Sequence, residues 1–542
     1  MKTNSSSFLE TLIRGNSSKQ WFSLLAAAVS ILCVALLLTW ITNQFQGLDG
    51  WLSFLMVLIL AALVVLSSWI LIKRDRQITL PRFLFWLLLS AVLIRLLVGA
   101  FWVAALPAWG HDTPVQQAGY VMEDAHSRDT VAWELARSDA PLWTAFRDYA
   151  GVDQYGGLLF LSALIYRYLG GEVHQPLLVV IVTASFSSIA IVFIWAFIKR
   201  SLNESIAWLA AILLAIYPEA VLLGSSQMRE AFTITLVSAA FYGLVRYWQE
   251  RSVVSMAWIL AALALTLPFS PAFTVVLLVL LAVQGLALGQ WKISHDKRFW
   301  MILAAIVALA VLSVWVSWRQ IAPEGMSNLF AVLGWWITKS AEWQFHLTER
   351  SSGWVQRILA ETPDWMNIPM LVIYGVVRPF LPAALIAGSD APIWTAIAIW
   401  RSLGWTILLP FLIYAPFKAF KQREWRGLLL GLSLVVWIGI LIASFRGGGD
   451  MWDNPRYRAA FAGLQVILVA WLWVEQRQKK DPWFWRTIIA LGVVLVWFIP
   501  WYVGRYFPGF NWPVHDFFLN LGLALVSAVI YLVWDIRKRK KF

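Results

Sequence analysis

Apolar runs of about 20 residues, the length that crosses a bilayer core, recur along the whole chain. They lie at 21–44, 51–72, 83–106, 176–198, 204–222, 230–248, 254–269, 271–289, 299–318, 396–417, 427–446, 457–475, 487–505 and 516–535. This pattern predicts an all-α polytopic membrane protein, a bundle of about 14 transmembrane helices. Two other apolar stretches are not spans: 156–169 is too short, and Pro379 and Pro382 interrupt 368–388. Both are expected as helices on, or dipping into, the outer surface.

Charge tests that assignment. With the N-terminus in the cytoplasm, Lys73, Arg74, Arg76 and Arg82, then Lys199 and Arg200, then Lys292, Lys297 and Arg298, all fall in cytoplasmic turns. So do the basic stretches 418–426 and 477–480 and the tail 537–541. This is the distribution that the positive-inside bias produces, and an even number of crossings returns the C-terminus to the cytoplasm. The net charge of +13 therefore reflects topology and gives no reason to expect a nucleic-acid partner.

Composition agrees. The chain has 542 residues, 60% hydrophobic and 13% charged, with mean hydropathy +0.69. Soluble domains carry about 25% charged residues. The 36 Trp suit the aromatic belts at membrane interfaces. Cys33 is the single cysteine, so neither a disulfide framework nor a cysteine metal site is expected. With no cleavable signal evident, a prokaryotic inner membrane is the expected location.

The chain divides into four parts. Residues 1–82 form an N-terminal cytoplasmic segment and two leading helices, and 83–318 form a core with a long outer loop at 107–175. Residues 319–395 form a second outer region with surface or re-entrant helices. Residues 396–542 add C-terminal spans and a short arginine-containing outer loop at 446–458. Long loops in compact proteins are functional or disordered, and these are too aromatic and apolar for disorder.

The first loop holds nine acids (Asp112, Glu123, Asp124, Asp129, Glu134, Asp139, Asp148, Asp153, Glu172) against four arginines. Residues 122–136 read as an amphipathic helix with Val131, Ala132, Leu135 and Ala136 on the apolar face. Asp124 and Arg128 stand four apart and share a face. Glu123 and Asp124 sit at the N-terminal end, where the helix dipole favours carboxylates; acids favour helix starts for that reason alone. In the short loop, Arg446 is followed by three glycines, Asp450, Asp453, Asn454, Pro455, Arg456, Tyr457 and Arg458. Arginine suits bidentate phosphate contacts, and glycines let backbone N–H groups approach a ligand. The anion at that depth is a lipid head group, unless these arginines merely snorkel to the interface. Glu219, Arg229 and Glu230 lie near the outer ends of other spans, and Arg378 precedes Pro379 near the same face. The six His show no metal-ligand spacing, and there is no Walker or dinucleotide loop.

This layout resembles the C-type glycosyltransferases (GT-C), multi-span enzymes that take sugars from polyprenyl-phosphate carriers and include the protein mannosyltransferases and the aminoarabinose transferase of lipid A. The resemblance runs from about residue 83 to 535. It rests on Glu123-Asp124 after the run 83–106, on the helix from Arg128-Asp129 to Ala136, and on Asp153-Gln154-Tyr155 followed by two glycines. Pro218-Glu219, Arg229-Glu230 and the late Asn454-Pro455-Arg456-Tyr457 also belong to it. The usual Asp-Glu order is reversed here, the two leading spans have no counterpart, and no large soluble domain follows the last span.

The resemblance implies a GT-C-like bundle and transfer of a sugar from a polyprenyl-phosphate donor to a glycan, lipid or protein acceptor at the outer face. Asp124 is the first choice of general base, then Glu123, then Asp129. Arg456, Arg458 and Tyr457, with Arg378 or Arg229, would hold the donor phosphate and stabilise the charge developing on it. Asp153, Tyr155, Glu219, Glu230, Asp450 and Asp453 would form an acceptor or secondary site. A single displacement would invert the anomeric carbon. No cofactor is required; a divalent metal is compatible with the carboxylates but not indicated. Two other readings are an O-antigen ligase or polymerase acting on lipid pyrophosphate glycans, and a lipid or solute transporter. A transporter would place polar residues at mid-membrane, whereas the spans here read as apolar at their centres.

Overall fold

The computed structural model describes residues 17–42, 49–149, 151–289, 325–349, 360–448, 450, 453–507 and 509–539, with scattered positions at 300–323 and 356–358. Among these residues the secondary structure is helical, without strands. Among the described residues seven helices are long and apolar enough to cross a membrane: Gly50–Lys73, Arg82–Trp109, Leu177–Ser201, Pro392–Lys421, Arg426–Gly447, Pro482–Tyr506 and Phe517–Lys538. The bent pair Glu204–Ile216 and Pro218–Gly224 makes an eighth if counted as one span. The runs at 230–248 and 457–475 become the helices Glu230–Glu250 and Ala462–Lys479, and those at 254–269 and 271–289 the shorter Val253–Thr266 and Pro271–Ala287. Half of the expected span 299–318, the whole turn carrying Lys292, Lys297 and Arg298, and residues 1–16 lie outside the described residues.

Helix starts follow from their capping residues. Asn203, Ser252 and Ser270 accept hydrogen bonds from the backbone N–H groups of Ile206, Ser255 and Phe273, filling donors that a helix leaves unpaired at its first turn. The Leu177–Ser201 helix is apolar on every face ahead of its basic last turn, and nearly all of it is buried; such a helix belongs at the centre of a bundle. Ala207, Ala210, Ala211 and Ala215 give the Glu204–Ile216 helix a small-residue face that is fully buried. Lipid offers no hydrophobic drive between helices, so close approach of small residues is how such a face holds its neighbours.

Polar contacts sort the turns into two ends. Arg200 donates to the Asp75 carboxylate at 2.6 Å and also binds Gln77, Gln249 and Glu250. Tyr242 donates to Asp75 at 2.6 Å. The turn 74–81 and the ends of the Leu177–Ser201 and Glu230–Glu250 helices thus meet at one end. Lys418 and Asp481 (2.7 Å) and Arg486 and Asp535 (2.7 Å) join the turns that the sequence assigns to that same side. The acidic loop and the 446–458 turn meet at the other end, described below.

The two leading helices are part of this body. Ala35, Leu38, Phe54, Val57 and Ala61 share one buried apolar cluster with Ala132, Leu135, Leu159 and Ala163. They therefore pack beside the helices of the long loop. Residues 156–169 form the helix Gly157–Leu169, while 368–388 breaks into Asp364–Val377 and Leu381–Ile386. The Trp-rich stretch 319–367 contains a further helix, Leu329–Glu349.

The span centres are not uniformly apolar, which corrects the reading above. Arg95 lies in the middle of the Arg82–Trp109 helix and is fully buried. Its guanidinium donates to Ala91 O (3.1 Å), Ala215 O (3.2 Å) and Leu214 O (3.2 Å). Pro218 has no N–H to offer Leu214, four residues earlier, and the chain bends there by 52°. Freed carbonyls are costly in a dry interior, and Arg95 satisfies them. Its role is to mend a helix break.

Candidate active site

The long loop folds into the helix Glu123–Arg137, which carries Glu123 and Asp124 in its first turn, one residue from the expected bounds. Asp129, on its buried face, is fully enclosed. Its carboxylate accepts from Tyr120 (2.5 Å) and Tyr166 (2.7 Å) and lies 2.9 Å from His174 Nε2. The third-choice base is therefore an internal fixture that pins the helix to its neighbours. Burial and the adjacent Asp129 charge push the Tyr120 and Tyr166 hydroxyls well above their ordinary range, so both remain donors.

Asp153 is also structural. Its carboxylate accepts from the Leu159 N–H at 3.0 Å, capping the Gly157–Leu169 helix, and stands 3.6 Å from Arg128 Nε. Arg128 in turn donates to Gln227 O at 3.2 Å. Gly156 makes this turn possible: its φ of 75° and an Ala145 carbonyl oxygen 2.2 Å from where a Cβ would sit leave no room for a side chain. The Asp-Gln-Tyr-Gly-Gly segment is in these respects a helix start.

Asp124 points elsewhere. Its Oδ2 accepts from Arg456 Nη1 at 2.8 Å. The Asp124 side chain is 51% exposed and that of Arg456 6%, so the pair sits at a mouth with the cation inside and the carboxylate outside. Arg456 Nε lies 3.3 Å from Glu230 Oε1, and its Nη2 donates to the Tyr457 hydroxyl at 3.2 Å. Arg229 Nε is 3.9 Å from the same Glu230 oxygen, and its guanidinium lies 5.4 Å from the centre of the Tyr155 ring. Partial burial would raise the Asp124 carboxyl, but Arg456, with help from Arg128 and Arg229, holds it below the ordinary carboxylate value. Three separated segments thus contribute to one charged constellation. Glu123, one residue earlier, is exposed.

The two arginines of the late loop do not act together. Arg456 and Arg458 are two residues apart on the short helix Asp453–Ala459, and helical geometry turns them about 200° from each other. Arg458 is buried at 1% exposure, with its guanidinium 3.4 Å above the Trp405 ring. Beside it, Glu219 accepts from Arg401 Nε (2.9 Å) and Nη2 (2.7 Å), and both side chains are buried. Arg401 was missed from the sequence because it sits within a span, although an ionisable residue there is itself a signal. Arg378 lies 4.7 Å from the Tyr374 ring centre, toward the end of the Asp364–Val377 helix.

The glycine-rich turn also has a different use. A Cβ on Gly448 would meet Leu371 O at 2.6 Å, and one on Gly375 would meet Gly448 Cα at 2.7 Å. The absent side chains let the turn lie against the Asp364–Val377 helix, to which Asn454 Nδ2 is tied through Gly375 O at 2.6 Å. Close helix approach rather than ligand contact is what Gly448 provides. Asp450 follows this turn and Asp453 opens the short helix. Arg446 stacks on Tyr457 at 4.7 Å from the ring centre. Among the described residues no group of three His, Cys, Asp or Glu is arranged to hold a metal ion.

The family model described as dolichyl-phosphate-mannose-protein mannosyltransferase matches residues 159–318, under a third of the chain. That segment contains Glu219, Arg229 and Glu230 and excludes Asp124 and Arg456. No curated protein matches. Among solved structures, the chain is similar to the oligosaccharyltransferase AglB from the archaeon Archaeoglobus fulgidus, solved with an inhibitory peptide and a dolichol-phosphate. Identity is 14% and the TM-score 0.38, over 83% of this chain and 55% of that one, so the chain spans about half the length of that protein. The matched family and AglB both belong to the GT-C glycosyltransferases, the class that the sequence motifs resemble.

Proposed function

We propose that the chain is a membrane glycosyltransferase that moves a sugar from a polyprenyl-phosphate donor to an acceptor hydroxyl at the outer face, with inversion at the anomeric carbon. The observation that carries this reading is the meeting of Asp124 and Arg456 at a half-open mouth, 2.8 Å apart. An ionised carboxylate reachable by an acceptor and a buried guanidinium suited to phosphate are the two groups that such a displacement needs.

In this reading the phosphate leaves on Arg456, with Arg229 adding charge from the other side of Glu230. Stabilising that developing anion in a dry site lowers the barrier, and the planar guanidinium fork matches phosphate geometry. Asp124 takes the proton from the acceptor hydroxyl as the new bond to the anomeric carbon forms. Glu230 holds both arginines in place, and Asp129 fixes the helix that presents Asp124. Arg458, Glu219 and Arg401 brace the late helix. The carrier supplies the energy, so no nucleotide takes part.

The test uses the full chain in lipid with undecaprenyl-phosphate sugars labelled in the sugar. Wild type should release free lipid phosphate in step with glycosylated acceptor; Asp124→Asn and Arg456→Ala should not. Consumption of a pyrophosphate-linked oligosaccharide instead, with the monosaccharide carrier untouched, overturns this reading in favour of a ligase or polymerase.

A further inference from the structure

The three nitrogens of Arg456 already face acceptors. Nη1 is bound by Asp124 at 2.8 Å, Nη2 by the Tyr457 hydroxyl at 3.2 Å, and Nε faces Glu230 at 3.3 Å. A phosphate that grips this guanidinium through both N–H groups of one edge crowds at least one of these partners, because carboxylate and phosphate favour the same N–H fork.

The three partners are not equally easy to displace. Glu230 is buried, its side chain 7% exposed, and stands between Arg456 and Arg229. Expelling it would strand a carboxylate in a dry interior, which is costly. Tyr457 is the next residue of the chain and carries Arg446 on its ring. Asp124 is 51% exposed, so its released carboxylate returns directly to water. It also touches Arg456 through one oxygen, and partly exposed ion pairs are weak. Retaining Asp124 while adding a phosphate would place a third anion beside Arg456 and Arg229.

We infer that the Asp124–Arg456 ion pair is a latch opened by the donor's phosphate. Arg456 exchanges Asp124 for the phosphate, and only then is the Asp124 carboxylate free to accept a proton from the acceptor. This rests on the proposed function and adds an order to it: donor first, acceptor second. Without donor, the base stays tied to the arginine and the site is idle.

The latch makes a prediction opposite to that of a plain catalytic base: removing Asp124 should improve donor binding, since it removes a competitor. The probe is a polyprenyl monophosphate without sugar, titrated onto the full-length chain in lipid nanodiscs. Wild type is compared with Asp124→Asn, Asp124→Ser, Arg456→Gln and, as a control for loss of one exposed charge on the same helix, Glu134→Gln. Both Asp124 variants should bind on the order of three- to tenfold tighter than wild type, Glu134→Gln should match wild type, and Arg456→Gln should bind more weakly. If wild type binds in an Arg456-dependent way but the Asp124 variants bind no more tightly, the latch is wrong and the transferase reading stands. If wild type does not bind the lipid phosphate, both fall.

Discussion

Asp124 Oδ2 and Arg456 Nη1 lie 2.8 Å apart although 332 positions separate them in the chain. One is carried by the first turn of a half-buried loop helix, the other by a seven-residue helix between two late spans. Their contact is where the long acidic loop and the C-terminal part of the bundle meet.

Arg456→Lys keeps the charge and loses the planar fork. It should reduce kcat by about 10- to 100-fold, and Arg456→Ala by about 100- to 1,000-fold, the range for losing a donor that stabilises transition-state charge. Steady-state rates of lipid phosphate release check this, and equal rates for wild type and Lys would show that point charge alone suffices.

The pH profile follows from the same pair. In the free protein the Asp124 carboxyl is held below its ordinary value, mainly by Arg456 working against partial burial. A depressed carboxyl stays ionised as pH falls and is lost only below its lowered pKa, so the acid limb of kcat/KM should lie under the ordinary Asp value of about 3.9. With donor bound and the latch open, Asp124 no longer has Arg456 to itself, and the acid limb of kcat should lie higher. Coincident limbs would argue against any release of Asp124 during turnover.

Asp129 and Asp124 should respond differently to the same change. Asp129→Asn keeps an acceptor for one of Tyr120 and Tyr166 and offers its amide N–H to the other hydroxyl, so it should retain measurable turnover, while Asp124→Asn should retain almost none. Asp129→Ala leaves buried donors unpaired and should lower stability by about 1–3 kcal/mol. Turnover and thermal unfolding measured on the same preparations separate the two roles.

The Glu219–Arg401 pair is the strongest stability test. Removing one partner, as in Arg401→Met, strands a buried charge and should cost about 3–5 kcal/mol. The double change Glu219→Gln with Arg401→Met should recover a large part of that loss. Unfolding midpoints in one detergent measure this; simple additivity of the two single effects would show that the pair is not coupled.

The helical, multi-span character and the approximate position of most of the described helices were legible in the sequence. Hydrophobic run length and the placement of Lys and Arg report directly on the bilayer, a one-dimensional constraint on a one-dimensional pattern. The Glu123–Arg137 helix and its first-turn acids were legible too, because local periodicity and dipole preference act within a few residues. What only the tertiary structure decided is which charges face one another. Asp129 and Asp153 look like Asp124 in the sequence, yet one serves two phenols and a histidine and the other caps a helix. Arg456 and Arg458 look like a pair, yet the helical turn sends them to different partners. Arg95 looks like an intruder in a span until the break at Pro218 brings two carbonyls to it. Burial and pairing depend on which segments the fold brings together, across more than a hundred residues for Arg95 and Arg456, and no local preference of the chain encodes them.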